Sequence, residues 1–218
     1  MKVDALWRYP VKTMAGERLD VATLGPLGIL GDRVVQVATS SGRVLTSRTY
    51  PGFLAHRGSL GADGEPRVDG IDWRSPEVAA IVAGIGGRDA RLVRDDGPDR
   101  FDVLPLLVAT DGAIAAFGHD GRRLRPNIVV GGVPGMTERD WPGGRLQIGP
   151  VVIGIESLRL RCVMTSFDPD TQAQDKSITK GIYDRFEGKL ALDCYVLVPG
   201  TIAVGDPVGF TPDPRARR

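Results

Sequence analysis

Short apolar runs separated by turn residues dominate the hydrophobic pattern of the chain. Each run combines a few aliphatic or β-branched residues and is bounded by Gly, Pro, Asn, Asp or Ser, a pattern typical of β-strands. We predict strands at residues 34–38, 43–46, 128–130, 147–148, 151–156, 157–160, 195–198 and 208–210. The first two flank a Ser-Ser-Gly turn and therefore predict a hairpin. The run at 151–155 is apolar at consecutive positions, which favours an interior strand.

Two short segments carry helix signals instead. Residues 75–83 start with a capping Ser and a proline and stop at Gly84, and residues 110–117 start with a capping Thr or Asp and stop at Gly118. The 29 glycines and 16 prolines leave little room for long helices. The predicted fold class is therefore mainly β, with a barrel-like architecture and a few short helices.

Composition narrows the function classes. The chain has 42% hydrophobic and 25% charged residues and a formal net charge of +1, so charge gives no argument for a nucleic-acid or anionic-membrane partner. The start lacks the apolar core of a signal peptide and no apolar stretch reaches membrane-spanning length, so we expect a cytoplasmic protein without membrane contact. Two histidines and two cysteines make a zinc site or a disulfide scaffold improbable.

The segment around Cys162 is the strongest candidate for chemistry. Arg161 precedes the cysteine, and a neighbouring guanidinium favours the thiolate that a nucleophile or soft-metal ligand requires. Thr165 and Asp168 follow closely enough to face the same site. The alternative is a small apolar cysteine packed in the core, which is the interpretation we prefer for Cys194 at the start of an apolar strand.

Two further segments are candidates for binding an anion. In Tyr-Pro-Val-Lys-Thr, the proline extends the chain, so that Lys12 and Thr13 offer an ammonium, a hydroxyl and backbone amides to an oxyanion. The alternative is a solvated lysine on an edge strand. Asp32 and Arg33 form either a surface ion pair or a turn that directs the arginine toward an anion, and the following hairpin ends at Arg48.

Asn127 follows Arg125 and Pro126 and begins an apolar strand, where a hydrophobic residue would pack at lower cost. A buried amide needs hydrogen-bond partners. Asn127 therefore either ties two strands together or contacts a polar ligand.

Six segments, taken in order, resemble the MOSC family, and most closely its branch that contains the mitochondrial amidoxime-reducing component and bacterial relatives. They are Tyr-Pro-Val-Lys-Thr at 9–13, Gly-Asp-Arg at 31–33, Thr-Ser-Arg at 46–48, Arg-Pro-Asn-Ile-Val at 125–129, Arg-Cys-x-x-Thr-x-x-Asp-Pro-Asp-Thr at 161–171 and Pro-Gly-Thr-Ile-x-Val-Gly-Asp-Pro-Val at 199–208. The resemblance implies a MOSC N-terminal β-barrel-like domain at 1–90, a MOSC β-barrel at 91–212 and a flexible tail at 213–218. It also implies a molybdenum cofactor, Mo-molybdopterin, between the two domains, whereas pyridoxal phosphate is not expected.

The same resemblance implies roles for individual residues. Cys162 would ligate molybdenum, and Asp168 beside it would handle protons. The residues implied to line the pterin and its phosphate, or to lie near that groove, are Lys12, Thr13, Arg33, Arg48, Thr110, Arg125, Asn127 and Arg161. A soft thiolate suits the metal, and several cations suit a phosphate dianion.

The resemblance implies an oxidoreductase that reduces small N-oxygenated compounds. The chain has no cysteine-rich ferredoxin-like segment, so electrons would come from a separate ferredoxin-like protein or flavoprotein reductase. The alternative is a carrier of the cofactor or of sulfur that uses Cys162 without redox turnover. A degenerate barrel without cofactor is a third possibility, and the joint presence of Lys12, Arg33, Arg125 and Cys162 argues against it.

Overall fold

The computed structural model describes residues 1–212, so the tail predicted at 213–218 lies outside the described residues. The strands are β1 Lys2–Arg8, β2 Glu17–Leu19, β3 Val21–Gly25, β4 Gly28–Ile29, β5 Val35–Ala38, β6 Val44–Leu45, β7 Gly58–Leu60, β8 Pro66–Val68, β9 Ile71–Asp72, β10 Arg91–Arg94, β11 Leu106–Thr110, β12 Ile128–Gly131, β13 Arg145–Ile148, β14 Val151–Leu160, β15 Lys189–Val198, β16 Gly200–Ala203 and β17 Val208–Thr211. The α-helices are α1 Pro76–Gly86, α2 Asp111–Phe117 and α3 Lys176–Phe186. Single 3₁₀ turns occupy Pro51–Ala55, Pro98–Arg100, Gly121–Leu124, Thr137–Asp140 and Val163–Ser166. The mainly β class predicted from the sequence is confirmed.

An eight-stranded sheet, in the order β17-β13-β14-β15-β11-β12-β1-β2, forms the largest layer. Its inward positions are fully buried aliphatic residues, among them Leu106, Ile128, Ile153 and Leu192. Within the described residues the two edge strands, β17 and β2, are not paired with each other, so the sheet is not a closed barrel. β1 runs antiparallel to β12, so the start of the chain belongs to the sheet formed by its second half.

A smaller sheet, β10-β5-β6, packs against α1 around a second core that contains Val37, Phe53 and Val82. The Ser75 hydroxyl accepts a hydrogen bond from the Val78 amide at 3.2 Å, and the proline at the next position fits the first turn of α1. Both local signals were present in the sequence, and they place the helix start where it was predicted. The predicted hairpin also forms, since β5 and β6 pair antiparallel.

Strands from the first 30 residues connect the two halves of the chain. β3 pairs antiparallel with β16 near the end of the chain, and β1 and β2 belong to the large sheet. Residues 35–94 supply most of the second core, together with Val11 and Met14, while β1 pairs with β12 and β3 pairs with β16. The domain boundary expected near residue 90 stays a prediction.

The amphipathic helix α3 was not predicted. Ile178, Ile182 and Phe186 recur at every fourth position and are buried against α2, whereas the remaining positions are mostly exposed. This spacing favours a helix, but the interior Gly181 and the polar residues around it make the helix signal in the sequence weaker. Among residues 1–212, no helix combines the length and the apolar character needed to cross a lipid bilayer.

Candidate functional site

A cavity of about 290 Å³ lies where loops from the first half of the chain meet the end of β14. We call it the thiol cavity because Cys162 lies in its wall. Its cationic lining residues are Lys12, Arg33, Arg48, Arg125, Arg159 and Arg161. Two carboxylates, Asp102 and Asp193, line it as well, so positive charge exceeds negative charge. An excess of guanidinium and ammonium groups around one thiol fits an anionic ligand that carries a soft metal.

The loop after β1 carries Lys12 and Thr13 into the cavity. The Lys12 amide donates to the Val35 carbonyl at 2.7 Å, and Thr13 has a positive φ of 80°. The Ser47 hydroxyl donates to the Thr13 carbonyl at 2.7 Å, which fixes this strained residue against the next loop. The Lys12 side chain is 12% exposed, and its Nζ lies 2.9 Å from Asp102 Oδ1. Lys12 is therefore a mostly buried, paired cation rather than a solvated lysine.

Asp32, Arg33 and Asn127 form one buried network. Asp32 is 0% exposed and accepts from the Tyr9 amide at 2.7 Å, and its carboxylate also pairs with Arg33. Asn127 Nδ2 donates to Asp32 Oδ2 at 3.2 Å, while Asn127 Oδ1 accepts from the Leu107 amide at 3.1 Å. Asn127 also lines the thiol cavity, so it ties strands together and faces the site. The Asp32–Arg33 pair is part of the interior, not a surface ion pair.

Two arginine guanidinium groups approach the ring of Tyr9. Arg125 lies 4.3 Å and Arg33 5.1 Å from the ring centroid, which are cation–π distances. Burial raises the pKa of Tyr9 to about 12, against the opposing effect of these arginines. Burial, reinforced by repulsion from Arg33, lowers the pKa of Arg125 to about 10. The like charges are thus held close together in a partly dehydrated site, which an anion would stabilise.

Arg161 is the cation next to the thiol along the chain. It is 8% exposed, and its Nη2 donates to the Leu124 carbonyl at 2.8 Å. Its Nε is buried and has no hydrogen-bond partner among residues 1–212. Burial, followed by repulsion from Arg159, lowers the pKa of Arg161 to about 10. A buried guanidinium with an unpaired N–H donor costs free energy unless a ligand accepts a hydrogen bond from it.

Cys162 follows β14 and precedes the 3₁₀ turn Val163–Ser166, and it is partly exposed. The Thr165 hydroxyl donates to the Cys162 carbonyl at 2.9 Å, which holds the backbone at the thiol. Burial disfavours the charged form of Arg48, but the adjacent Asp102 carboxylate and Cys162 thiol outweigh it and raise the pKa of Arg48. Cys194, by contrast, is fully buried in the core, where burial raises its pKa well above the ordinary value.

Two of the residues implied by the resemblance do not reach the thiol cavity. The Thr110 hydroxyl accepts from the Ala113 amide at 3.0 Å and donates to Glu138 Oε2 at 3.0 Å, so this side chain caps α2. Asp168 accepts from the Thr171 amide at 2.9 Å and from Arg123 Nη2 at 2.8 Å. Its carboxylate therefore stabilises the turn after Phe167, and Asp168 does not line the thiol cavity.

Three charged residues of the cavity were not singled out in the sequence, namely Asp102, Arg159 and Asp193. Arg159, near the end of β14, precedes Arg161, the first residue after that strand, by two positions. Both line the cavity, and Arg159 Nη1 donates to Asp193 Oδ1 at 2.9 Å. The spacing of two residues, which puts side chains of an extended strand on one face, could have indicated Arg159 from the sequence. Asp102 lies in the loop after Pro98–Arg100 and binds both Lys12 and Arg48, and no local pattern indicates it.

Among the described residues, no three His, Cys, Asp or Glu side chains cluster closely enough to hold a metal ion by themselves. A single thiol in the cavity wall is compatible with an organic group that brings its own metal ligands. The cationic wall and the unused Arg161 Nε fit such a group if it is anionic.

Family models match both halves of the chain. The MOSC N-terminal beta barrel domain matches residues 1–80, and the MOSC domain matches residues 113–209. The chain belongs to the MOSC family. This MOSC protein is 25% identical to human mitochondrial amidoxime-reducing component 1, over 94% of this chain and 82% of that protein. It is 24% identical to mitochondrial amidoxime reducing component 2 of Macaca fascicularis, over 80% of this chain and 69% of that protein.

The solved structures of two bacterial proteins align with this MOSC protein at TM-scores below 0.5. The YuaD protein of Bacillus subtilis gives a TM-score of 0.49 at 14% identity, over 96% of this chain and 94% of that chain. YiiM of Escherichia coli gives a TM-score of 0.46 at 10% identity, over 97% of this chain and 70% of that chain.

Proposed function

We propose that this MOSC protein binds a molybdenum cofactor in the thiol cavity and reduces small N-oxygenated compounds. The observation that carries the proposal is a partly exposed thiol, Cys162, in one cavity with six cationic side chains from both halves of the chain. The names of the human and macaque relatives, which describe amidoxime reduction, support the same assignment.

The donor set fits each part of the cofactor. The Cys162 sulfur is a soft ligand for molybdenum. Lys12, Arg33 and Arg125 would hold the phosphate and the pterin, and Asn127 would orient them from its fixed position in the Asp32 network. When bound, the cofactor supplies the two-electron redox chemistry that no side chain of the chain can provide.

Reduction of an N-hydroxy group breaks the N–O bond, consumes two electrons and two protons, and releases water. The electrons would come from a separate ferredoxin-like protein or flavoprotein reductase. The cavity, by contrast, has its own candidate for holding a proton. Asp193 is 4% exposed, lines the cavity, and has a pKa raised by burial against the opposing charge of Arg159.

We therefore assign proton delivery to Asp193 in place of Asp168, which does not line the cavity. Asp193→Asn should slow turnover and change its pH profile while molybdenum content stays unchanged. Asp168→Asn is the matched control and should leave the pH profile as it is. The assignment fails if the two substitutions have the same effect on that profile.

Molybdenum content tests the cofactor assignment directly. The protein is expressed in a host that makes the cofactor, and the purified chain is analysed for molybdenum. We expect stoichiometric metal in the wild type and in Cys194→Ala, and loss of metal in Cys162→Ser with the fold retained. Full molybdenum occupancy in Cys162→Ser would exclude Cys162 as the ligand.

Turnover distinguishes an enzyme from a carrier of the cofactor or of sulfur. Reduced viologen dye is offered to the molybdenum-loaded protein together with benzamidoxime. Steady consumption of dye over many turnovers supports the reductase. A single stoichiometric burst would support the carrier.

A further inference from the structure

A second cavity, of about 420 Å³, lies beside the thiol cavity and shares two wall residues with it, Arg125 and Met164. We call it the arginine cavity. Its guanidinium groups come from Arg18, Arg57, Arg122, Arg123 and Arg125, against one lining carboxylate, Asp170. None of the functions assigned above uses it.

The cations of this cavity are only partly neutralised. Arg122 is fully paired, since its Nη2 lies 2.7 Å from both Asp120 Oδ2 and Asp170 Oδ2. Arg18 and Arg57 have no side-chain hydrogen bond or ion pair among residues 1–212. The cavity therefore keeps a net positive charge after its internal pairs are formed.

Arg123 provides the observation that points to a ligand. Its side chain is 10% exposed, and its Nη2 donates to Asp168 Oδ2 at 2.8 Å. Its Nη1 is buried and has no hydrogen-bond partner in the described part of the chain. A buried donor in this state costs free energy, and here it belongs to a residue that lines the cavity.

Apart from Gln172, the rest of the wall is apolar and partly aromatic. Trp7, Tyr9 and Phe167 line the cavity together with Leu54 and Met164. A few fixed charged donors in an apolar enclosure are the usual composition of a small-molecule site. The donors require an anion, and the aromatic wall favours a flat apolar body over a bare inorganic ion.

We propose that the arginine cavity binds a small organic carboxylate with an aromatic body. The carboxylate accepts from Arg57 and from the guanidinium group of Arg123, and the ring packs against Trp7 and Met164. Apart from Arg125 and Met164, the residues that line this site differ from those of the thiol cavity. Binding at this site does not require a cofactor, so its test is independent of the molybdenum assignment.

Calorimetric titration of the full chain with benzoate tests the proposal. We expect saturable binding to the wild type, and weaker binding of benzamide, which has the same shape without the charge. Arg123→Gln and Arg57→Gln should each weaken benzoate binding about tenfold, equivalent to about 1.4 kcal/mol. Arg57 is exposed and has no side-chain partner in the described residues, so its substitution should not disturb the fold.

Two controls locate the binding. Arg91→Gln removes an exposed arginine on β10 that lines neither cavity, and Lys12→Met removes a cation of the thiol cavity only. Both should bind benzoate as the wild type does. The proposal is overturned if benzoate does not bind, if benzamide binds equally well, if Lys12→Met abolishes binding, or if Arg123→Gln and Arg57→Gln bind like Arg91→Gln.

Discussion

The Asn127 amide donates to the Asp32 carboxylate across 95 residues of sequence, with Nδ2 and Oδ2 3.2 Å apart and both side chains fully buried. This bond joins the turn after β4 to the start of β12. The same amide donates to the Trp7 carbonyl at 3.3 Å. One side chain therefore positions three segments that meet at the thiol cavity.

Replacing this amide should destabilise the protein. In Asn127→Ala the Asp32 carboxylate loses a donor and the Leu107 amide loses its acceptor, and both stay buried. We expect a loss of about 2 kcal/mol in the free energy of unfolding, measured by urea denaturation. Gln147→Ala, at an exposed position, is the control and should change stability by less than about 0.5 kcal/mol. Equal midpoints for the two variants would contradict this role of Asn127.

The ion pairs of Asp102 make the stability of the protein depend on pH. Burial alone would raise its pKa, but the hydrogen bond and charge of Lys12 and the charge of Arg48 lower it below the ordinary value. A depressed folded-state pKa means that the stabilisation is present above the unfolded pKa and is lost as pH falls through the folded pKa.

Asp102→Asn should therefore lower stability at neutral pH, by about 1 kcal/mol or less because the pair is partly exposed. The difference from the wild type should shrink as the pH falls from about 5 through the ordinary carboxyl pKa of about 3.9 and below. Unfolding midpoints measured across this range check it. Asp184→Asn, which removes an exposed partner of Lys180, should show a much smaller difference. A pH-independent gap between Asp102→Asn and the wild type would contradict the prediction.

Local signals predicted elements well, because their causes are local. Ser75 caps α1 and Thr110 caps α2 through hydrogen bonds to amides three residues ahead, so the sequence alone was sufficient. The pairing of β1 with β12 spans more than 120 residues, and no local pattern indicates it. The barrel-like architecture that the sequence predicted depends on such distant pairings, and among residues 1–212 the large sheet is not closed into a barrel.

The residues of the candidate site likewise divide into those that a local sequence pattern indicates and those that depend on distant contacts. Lys12, Arg33, Asn127 and Cys162 each stand out in their own segment, and the structure brings all of them to the thiol cavity. Asp168 was proposed from its closeness to Cys162 along the chain, but it does not line the thiol cavity, and its carboxylate is bound by Thr171 and Arg123. Asp102 could not be found from the sequence, since its partner Lys12 lies 90 residues away.

The two cysteines should differ in reactivity. Cys162 is partly exposed, whereas Cys194 is fully buried and has a pKa well above the ordinary value, which suppresses the reactive thiolate. Iodoacetamide should label one cysteine per native, cofactor-free chain, and peptide mass spectrometry should identify it as Cys162. Cys162→Ser should take up label only in denaturant. Protein loaded with the proposed cofactor should be protected, and native labelling of Cys194 at a similar rate would contradict the prediction.

Arg125 shows a conflict between binding and stability. Its side chain makes no hydrogen bond among the described residues, it has a φ of 55°, and burial lowers its pKa to about 10. The attraction to the Tyr9 ring offsets only part of this cost. Without an anion in the thiol cavity, the charge of Arg125 therefore destabilises the folded state.

Arg125→Met should stabilise the cofactor-free protein by about 1 kcal/mol, because a side chain of similar length replaces a charge that is costly to bury. The same substitution should lower molybdenum content after expression in a cofactor-producing host, since a phosphate contact is lost. Thermal unfolding of the cofactor-free chain and elemental analysis of the loaded chain measure the two effects separately. Arg91→Met, at an exposed position outside both cavities, should change neither. A variant at Arg125 that lost both stability and metal would show that the guanidinium supports the fold itself and is not held ready for an anion.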